Sequence, residues 1–291
     1  MKIKISAAID TGKERENNED ALVYCPDLSS PQWLDNDGMP DYIPLGDCGS
    51  LAVVADGMGG ANAGEVASSI AINTVKEFFS NNCIKDIVTD GTKINELLHD
   101  AITTADKHII NKMSTDPETA GMGTTIVICW IVGEKAHIAW CGDSRCYVYN
   151  PAHGLKALTK DHSLVQEMVD SGQISHEEAI SHPDSNIITR GLGDFDTNAV
   201  PDITTYDVQP NDMLLLCSDG LNGYCLDSDI ESLMSSNYSD VSQCCNQLMQ
   251  LALDAGGYDN ISIIAASMIG DEQEVPDEPS FFQRIKHFFF H

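Results

Sequence analysis

The chain has 291 residues, 42% of them hydrophobic, with 45 acidic against 16 basic side chains and a formal net charge of −29. Such a length and apolar content fit a globular protein with a buried core and exclude a disordered chain. The charge argues against nucleic acid as a partner, because phosphate backbones would be repelled, but not against phosphorylated substrates, since bound cations reverse the field locally.

Residues 3–9 alternate as a strand, and the N-terminal stretch lacks the apolar run of a signal peptide. Residues 26–50 carry Pro, Gly and Asp without periodicity and are expected to form a surface insertion, bordering the substrate entrance. An apolar run over 51–55 predicts a buried strand. The following segment predicts a helix over 63–79 with Val66, Ile70 and Phe78 facing inward. Ile94, Leu97, Leu98, Ala101, Ile102, Ala105 and Ile109 keep the 3.6-residue period of a second helix. Strands are expected over 124–132 and 135–141, joined across Gly133-Glu134 as a tight hairpin, then over 145–149.

Residues 163–188 are polar, with two short helix-like pieces around Gly172. A strand over 213–217 and a helix carrying Val241, Cys244, Cys245, Leu248, Met249 and Ala252 precede the last strand, over 261–268. Residues 270–280 form an acidic linker, and Phe281, Phe282, Ile285, Phe288 and Phe289 of the tail 281–291 would share one helical face. That tail suits docking on protein better than on membrane, since its basic charge is small. Long helices between clusters of hairpin-like strands argue for an α+β fold with antiparallel sheets packed together and helices outside, rather than a doubly wound parallel sheet.

The longest apolar run, 126–132, is too short to span a bilayer, and a cytoplasmic protein is expected. The ten cysteines show no C-x-x-C pair and no zinc spacing, and read as small core residues in a reducing compartment.

Chemistry concentrates at strand ends. Asp56 ends the run 51–55 and is followed by Gly57, Met58, Gly59 and Gly60. Asp219 with Gly220 repeats this arrangement after 213–217, Asp259-Asn260 precedes the last strand, Glu19-Asp20 follows the first, and Asp143 sits between two strands. A single Asp-Gly is an ordinary turn. Several acids at the ends of apolar strands would, if those ends converge, be unable to stay ionised together without cations. Oxygen-only ligands suit Mg²⁺ or Mn²⁺ rather than zinc. Asp35-Asn36-Asp37-Gly38 starts like a calcium loop, but the remaining spacing fails.

These residues fall into an ordered set: Arg15-Glu16-Asn17-Asn18-Glu19-Asp20, Asp56-Gly57-Met58-Gly59-Gly60, Gly121-Met122-Gly123-Thr124-Thr125, Gly142-Asp143-Ser144-Arg145, Leu158-Thr159-Lys160-Asp161-His162, Arg190-Gly191-Leu192-Gly193, Ser218-Asp219-Gly220 and Asp259-Asn260. Over residues 5–268 the chain resembles the metal-dependent protein phosphatases of type 2C, the PPM family, in particular its bacterial members. The resemblance implies a four-layer α-β-β-α sandwich, two mainly antiparallel sheets flanked by helices, forming a catalytic domain over 1–269 with a flap at 163–188. It implies hydrolysis of phosphoserine and phosphothreonine in proteins, the products of a serine/threonine kinase, by water activated between two Mn²⁺ or Mg²⁺ ions, without a covalent intermediate.

By resemblance, Asp56 bridges the two metals and the Gly57 carbonyl helps hold the second. Asp219 and Asp259 serve the first, Glu19 and Asp20 the second, and Asp143 with Asp219 a third, weaker ion. Arg15 binds the substrate phosphate, whose oxygens match a guanidinium fork. A monomer is implied. The animal enzymes carry His directly after the Asp-Gly as a proposed general acid, whereas this chain has Met58. His162 is a tempting substitute, but its place before the flap points to a structural role. Two other functions fit less well: a silent phosphoprotein-binding module, and a hydrolase of small phosphate esters. The ligand positions are all filled, and the Gly-Lys-Ser/Thr loop of a P-loop nucleotide site is absent.

Overall fold

In the computed structural model of the chain, residues 1–59, 63–81, 84–175, 178–179, 182–193 and 199–270 are described. The strands are β1 (Lys2–Asp10), β2 (Ala21–Cys25), β3 (Ile43–Pro44), β4 (Ser50–Ala55), β5 (Gly57–Met58), β6 (Gly123–Thr124), β7 (Ile126–Val132), β8 (Lys135–Cys141), β9 (Arg145–Asn150), β10 (Gly154–Ala157), β11 (Asp202–Asp207), β12 (Met213–Cys217) and β13 (Ile261–Ile269). The helices are α1 (Ala63–Asn81), α2 (Gly91–Thr115), α3 (Leu164–Asp170), α4 (Asp219–Asn222), α5 (Asp227–Ser236) and α6 (Val241–Asp254).

Two antiparallel sheets dominate, one in the order β10-β9-β12-β13-β1-β3 and the other β11-β8-β7-β4-β2. Every residue of β7 and β13 is buried. This explains why their sequences read as unbroken apolar runs: one face of each meets the opposite sheet and the other meets helices. Ile5, Tyr24, Val54, Val127, Leu214 and Ile264 belong to the layer between the sheets. Leu98 and Ile102 of α2 pack with Val53 and Trp130 on one outer face, and Cys245 and Leu248 of α6 pack with Leu215 and Ile263 on the other. The chain is thus a four-layer α-β-β-α sandwich, as expected. Asp90 caps α2 by accepting from the Thr92 and Lys93 amides, and Asp240 caps α6 by accepting from the Gln243 amide.

The hairpin at Gly133-Glu134 forms as expected, with Val132 paired to Lys135 and Gly133 at φ +60°. Several details differ from expectation. The run over 124–132 is broken at Thr125: Gly123–Thr124 pairs instead with Gly57–Met58 as a separate two-stranded ribbon. Helix α1 turns a different face inward. Ala67, Ala71, Val75 and Phe79, an i, i+4 row, are buried, while Val66, Ile70 and Phe78 lie half-buried along the flank. The small alanines let the helix backbone approach the sheet, which the larger side chains could not. Strands β2, β10 and β11 were not evident from periodicity, being short or polar.

Residues 26–50 are less superficial than expected. Leu28, Met39 and Cys48 are buried, β3 pairs with Lys2 and Ile3, and the Tyr42 hydroxyl donates to Ser267 Oγ at 2.8 Å. The segment joins the ends of β2 and β4 that lie farthest from Asp20 and Asp56. Residues 163–188 leave and rejoin the sandwich at one place, closed by a bridge between Ser163 and Ile188. They include α3 and Gly172 at φ +72°, while their second helix-like piece falls partly outside the described residues. The tail 281–291 and, beyond Gly270, the acidic linker also lie outside them. Among the described residues nine cysteines are free and buried, and no described helix is long and apolar enough to cross a membrane.

Candidate active site

Strand register decides where the acids meet. Asp10 pairs with Ile261, Cys217 pairs with both Ile263 and Arg145, Ala21 pairs with Ala55, and Ile126 pairs with Cys141. The last residue of β1, β4, β8 and β12 and the first of β2, β9 and β13 therefore lie along one end of the sandwich. Asp20, Asp56, Asp143, Asp219 and Asp259 are each within two residues of one of those termini. All the acidic site residues predicted from the sequence are brought to this edge.

Hydrogen bonds across strand ends fix Asp56 through its backbone and Asp20 through its carboxylate. The Asp56 amide donates to Thr125 Oγ1 at 3.2 Å, and its carbonyl accepts from the Thr125 amide and the Thr124 hydroxyl, both at 2.8 Å. The break in the predicted strand at Thr125 is what frees these groups. Asp20 Oδ2 accepts from Ser218 Oγ at 2.7 Å, tying β2 to the residue before Asp219. Asn260 accepts from the Glu19 amide at 2.7 Å and donates to the Thr11 and Asn17 carbonyls, so it clamps the loop that carries Arg15, Glu19 and Asp20. Gly57 leaves no room for a side chain: a Cβ there would lie 2.3 Å from the Gly64 carbonyl oxygen and 2.4 Å from that of Glu19. Glu19 in turn sits at the start of α1, where burial raises its pKa, opposed by the Arg15 charge and by the Gly64 amide.

Ser218, Thr125 and Asn260 were not assigned roles from the sequence. Their signal was membership of the motifs Gly121–Thr125, Ser218–Gly220 and Asp259-Asn260, beside an acid or at the end of an apolar strand.

The electrostatics are those of crowded anions. Burial pushes the Asp20 carboxyl up to about 6, with the Asp259 charge adding to it against the Ser218 hydrogen bond. Burial, then the charge of Asp259, pushes Asp219 up to about 7. Asp56 is raised well above the carboxylate range by burial and by Asp20, Asp219 and Asp143, and Asp143 by burial and Asp219. Oδ1 of Asp20 and Oδ1 of Asp219 are out of solvent and have no hydrogen-bond partner among the described residues. Buried, unpartnered acceptors among like charges fit divalent cations. Among the described residues no three of these side chains already form a closed cage. Small hard dications need few protein oxygens, because they keep several waters.

Arg15 reaches the same edge, but Nη2 is paired with Asp259 Oδ2 at 2.7 Å. Its side chain is 52% exposed, leaving its other N–H groups open to a ligand. Arg145 is tied to Asp161 by two hydrogen bonds of 2.7 Å and to the Tyr147 hydroxyl at 2.7 Å. It anchors the segment before the 163–188 excursion, and its charge opposes the upward push on Asp143. His162 is structural, as expected: Nδ1 accepts from the Gly142 amide at 3.1 Å, which leaves Nε2 to donate to Asp202 at 3.2 Å. Its ring stacks on Trp140, and burial lowers its pKa. Beside the acids lies a cavity of about 620 Å³ between α3 and the 222–228 segment, bordered by Asp143, Asp219, Val165, Val169 and Leu226.

The raised carboxyls make stability depend on pH. Their folded pKa values exceed the unfolded value of about 4, so the folded chain binds more protons between the two. The stabilising contribution is complete below about pH 4 and is lost as the pH rises through about 6 and 7, where Asp20 and Asp219 titrate. With chelator, the melting temperature should therefore fall between pH 5 and pH 8. Mn²⁺ should restore it, most strongly at pH 8, because it binds only the ionised cluster. A chelated protein with no such fall, measured by differential scanning fluorimetry, would contradict the cluster.

The protein phosphatase 2C profile matches residues 41–261. The chain is 32% identical over 260 residues to serine/threonine phosphatase stp of Listeria monocytogenes serotype 4b, covering 88% of this chain and 92% of that one. The serine/threonine phosphatase of S. agalactiae superposes with a TM-score of 0.78 at 29% identity, covering 92% of this chain and all of that one. The catalytic domain of the serine/threonine protein phosphatase PstP, in complex with two manganese ions, superposes with a TM-score of 0.73 at 28% identity, covering 92% and 99%.

Proposed function

The chain belongs to the protein phosphatase 2C family and is a metal-dependent serine/threonine protein phosphatase, and on that premise we propose that the acidic edge is its catalytic centre. The observation that carries the reading is the convergence of five aspartates from five strand ends, with buried unpartnered oxygens on two of them. Asp56, raised by burial and then by the charges of Asp20 and Asp219, would be the ligand shared by two cations, Mn²⁺ or Mg²⁺. Asp219 and Asp259 would hold one ion. Glu19, Asp20 and the Gly57 carbonyl would hold the other, directly or through water. When bound, the ions supply the charge that lowers the pKa of water and neutralises phosphoryl oxygens.

The chain's own groups do the positioning. Ser218 orients Asp20, Thr124 and Thr125 fix the Asp56 backbone, and the exposed N–H groups of Arg15 take phosphate oxygens. Met58 brings no ionisable group, and His162 has both ring nitrogens committed, so neither supplies the leaving-group proton. Cys141 and Cys217, the cysteines nearest the edge, are buried with their thiols pushed up, Cys141 to about 12. Neither is a nucleophile at neutral pH. This supports direct attack by water without a phosphoenzyme.

Asp143, raised by burial and by Asp219, supports a third and weaker ion between the two. The substrates are phosphoproteins, and a serine/threonine kinase is the proposed source of the phosphoryl group. Buried free thiols suit a reducing, cytoplasmic setting, with the chain acting as a monomer.

The test compares a phosphothreonine peptide, an aryl phosphate and a nucleotide, each with Mn²⁺ and with chelator. Turnover of the peptide and aryl phosphate with Mn²⁺ only is expected, and Arg15→Ala should raise KM for the peptide about tenfold. Cation-independent turnover, or a preference for the nucleotide, would overturn the reading.

A further inference from the structure

Two tyrosines stand on the rim of the acidic edge without serving the core. Tyr224 is 43% and Tyr258 is 53% exposed, and neither belongs to any of the three apolar clusters. They pack on each other instead, with ring centroids 5.4 Å apart and planes tilted by 41°. Tyr224 follows α4, which begins at Asp219, and Tyr258 directly precedes Asp259. The pair thus joins two ligand-bearing segments from separate strands. Its position is set by tight backbone. Gly223 donates to the Asp219 carbonyl at 2.7 Å, and Gly256, at φ +133°, gives up the space that the Tyr258 ring fills, since a Cβ there would lie 2.1 Å from that ring. Exposed aromatic area that folding does not require, held rigid beside a catalytic centre, is a ready surface for substrate.

Charge selects the occupant. Tyr224 lies within the field of Asp219 and Asp259, in a chain with 29 more acidic than basic groups. The two cations beside the pair are already engaged: Arg15 is joined to Asp259, and Lys13, packed against Gly257, donates to the Leu253 carbonyl. Aromatic faces beside carboxylates attract a cation and discriminate against an anion.

Resting on the phosphatase reading above, we propose that the Tyr224–Tyr258 pair is a specificity platform that holds a lysine or arginine side chain of the phosphoprotein, close in sequence to the phosphorylated residue. The aliphatic stem lies against the rings and the charged head over a ring face, while the phosphoryl group sits at the aspartates. The pair orients the peptide and takes no part in the chemical step.

The experiment uses the full chain with Mn²⁺ and two phosphothreonine peptides differing only in Arg or Gln beside the phosphothreonine. The wild type should favour the Arg peptide about five- to tenfold in kcat/KM, through KM. Tyr224→Leu and Tyr258→Leu should bring that ratio close to one, and the Phe variants, which keep the ring, should retain it. Because the readout is a ratio, a general loss from a shifted loop does not imitate the effect. A wild-type ratio near one, or a ratio that survives both Leu substitutions and so reflects only long-range charge, would overturn the platform while leaving the phosphatase reading intact. A wild type that cleaves neither peptide overturns both.

Discussion

Asp56→Asn should lower kcat/KM for a phosphopeptide by at least about a thousandfold and, at the same time, raise the melting temperature of the chelated protein at pH 8. The substitution keeps the shape of the side chain and removes its charge. Asp56 is the acid whose neighbours Asp20, Asp219 and Asp143 all raise its pKa, so losing its charge relieves repulsion in the cation-free fold. The same charge is what a shared ligand contributes to two cations, and a neutral amide oxygen replaces it poorly. Gain of stability with loss of activity is the signature of a residue kept for function against the interest of the fold. The stabilisation by Mn²⁺, large in the wild type at pH 8, should shrink in the variant. Retained Mn²⁺-dependent turnover, or a chelated protein melting below the wild type, would remove Asp56 from the centre.

Gly220→Ala should destabilise the chain by about 3 kcal/mol and lower kcat/KM about a hundredfold, although it adds one methyl group and touches no charge. A Cβ at Gly220 would lie 2.0 Å from the Asn260 carbonyl oxygen and 2.9 Å from its carbonyl carbon. Both are backbone atoms of the residue directly before β13, so no side chain can swing aside. Either α4 or the segment holding Asp259 and Asn260 must move. Movement there separates Asp219 from Asp259 and loosens the Asn260 clamp on the loop of Arg15 and Glu19. Urea denaturation and steady-state kinetics read the two effects. A variant with wild-type midpoint and activity would show that the approach of these backbones is not required.

Much of the fold is legible in local pattern. The runs at β4, β7, β12 and β13 read as strands because both faces are covered, and α2 and α6 read as helices because each presents one stripe to a sheet. The candidate acids were visible for the same reason: an Asp that ends an apolar run stands out as a charge with nowhere to be buried. The sides of α1, the shortness of β2, β10 and β11, and the depth of residues 26–50 were not visible. Each depends on what lies opposite, and periodicity records only that something does. Val66 and Ala67 of α1 both read as apolar, and only the neighbouring sheet decides that the smaller one faces it.

The amino-acid sequence alone singled out the residues proposed to carry the chemistry and the order in which they occur, because motif identity and strand endings are local properties of the chain. The tertiary structure alone decided that those residues meet. Antiparallel register in two separate sheets brings seven strand termini to one end, turning aspartates up to 239 positions apart (259 against 20) into one cluster of raised pKa. It also decided that Arg15 pairs with Asp259, that Ser218 steadies Asp20, and that Tyr224 meets Tyr258. The physical reason is that burial and turn preference act between neighbours in the chain, whereas charge repulsion, desolvation and ring contact act between neighbours in space.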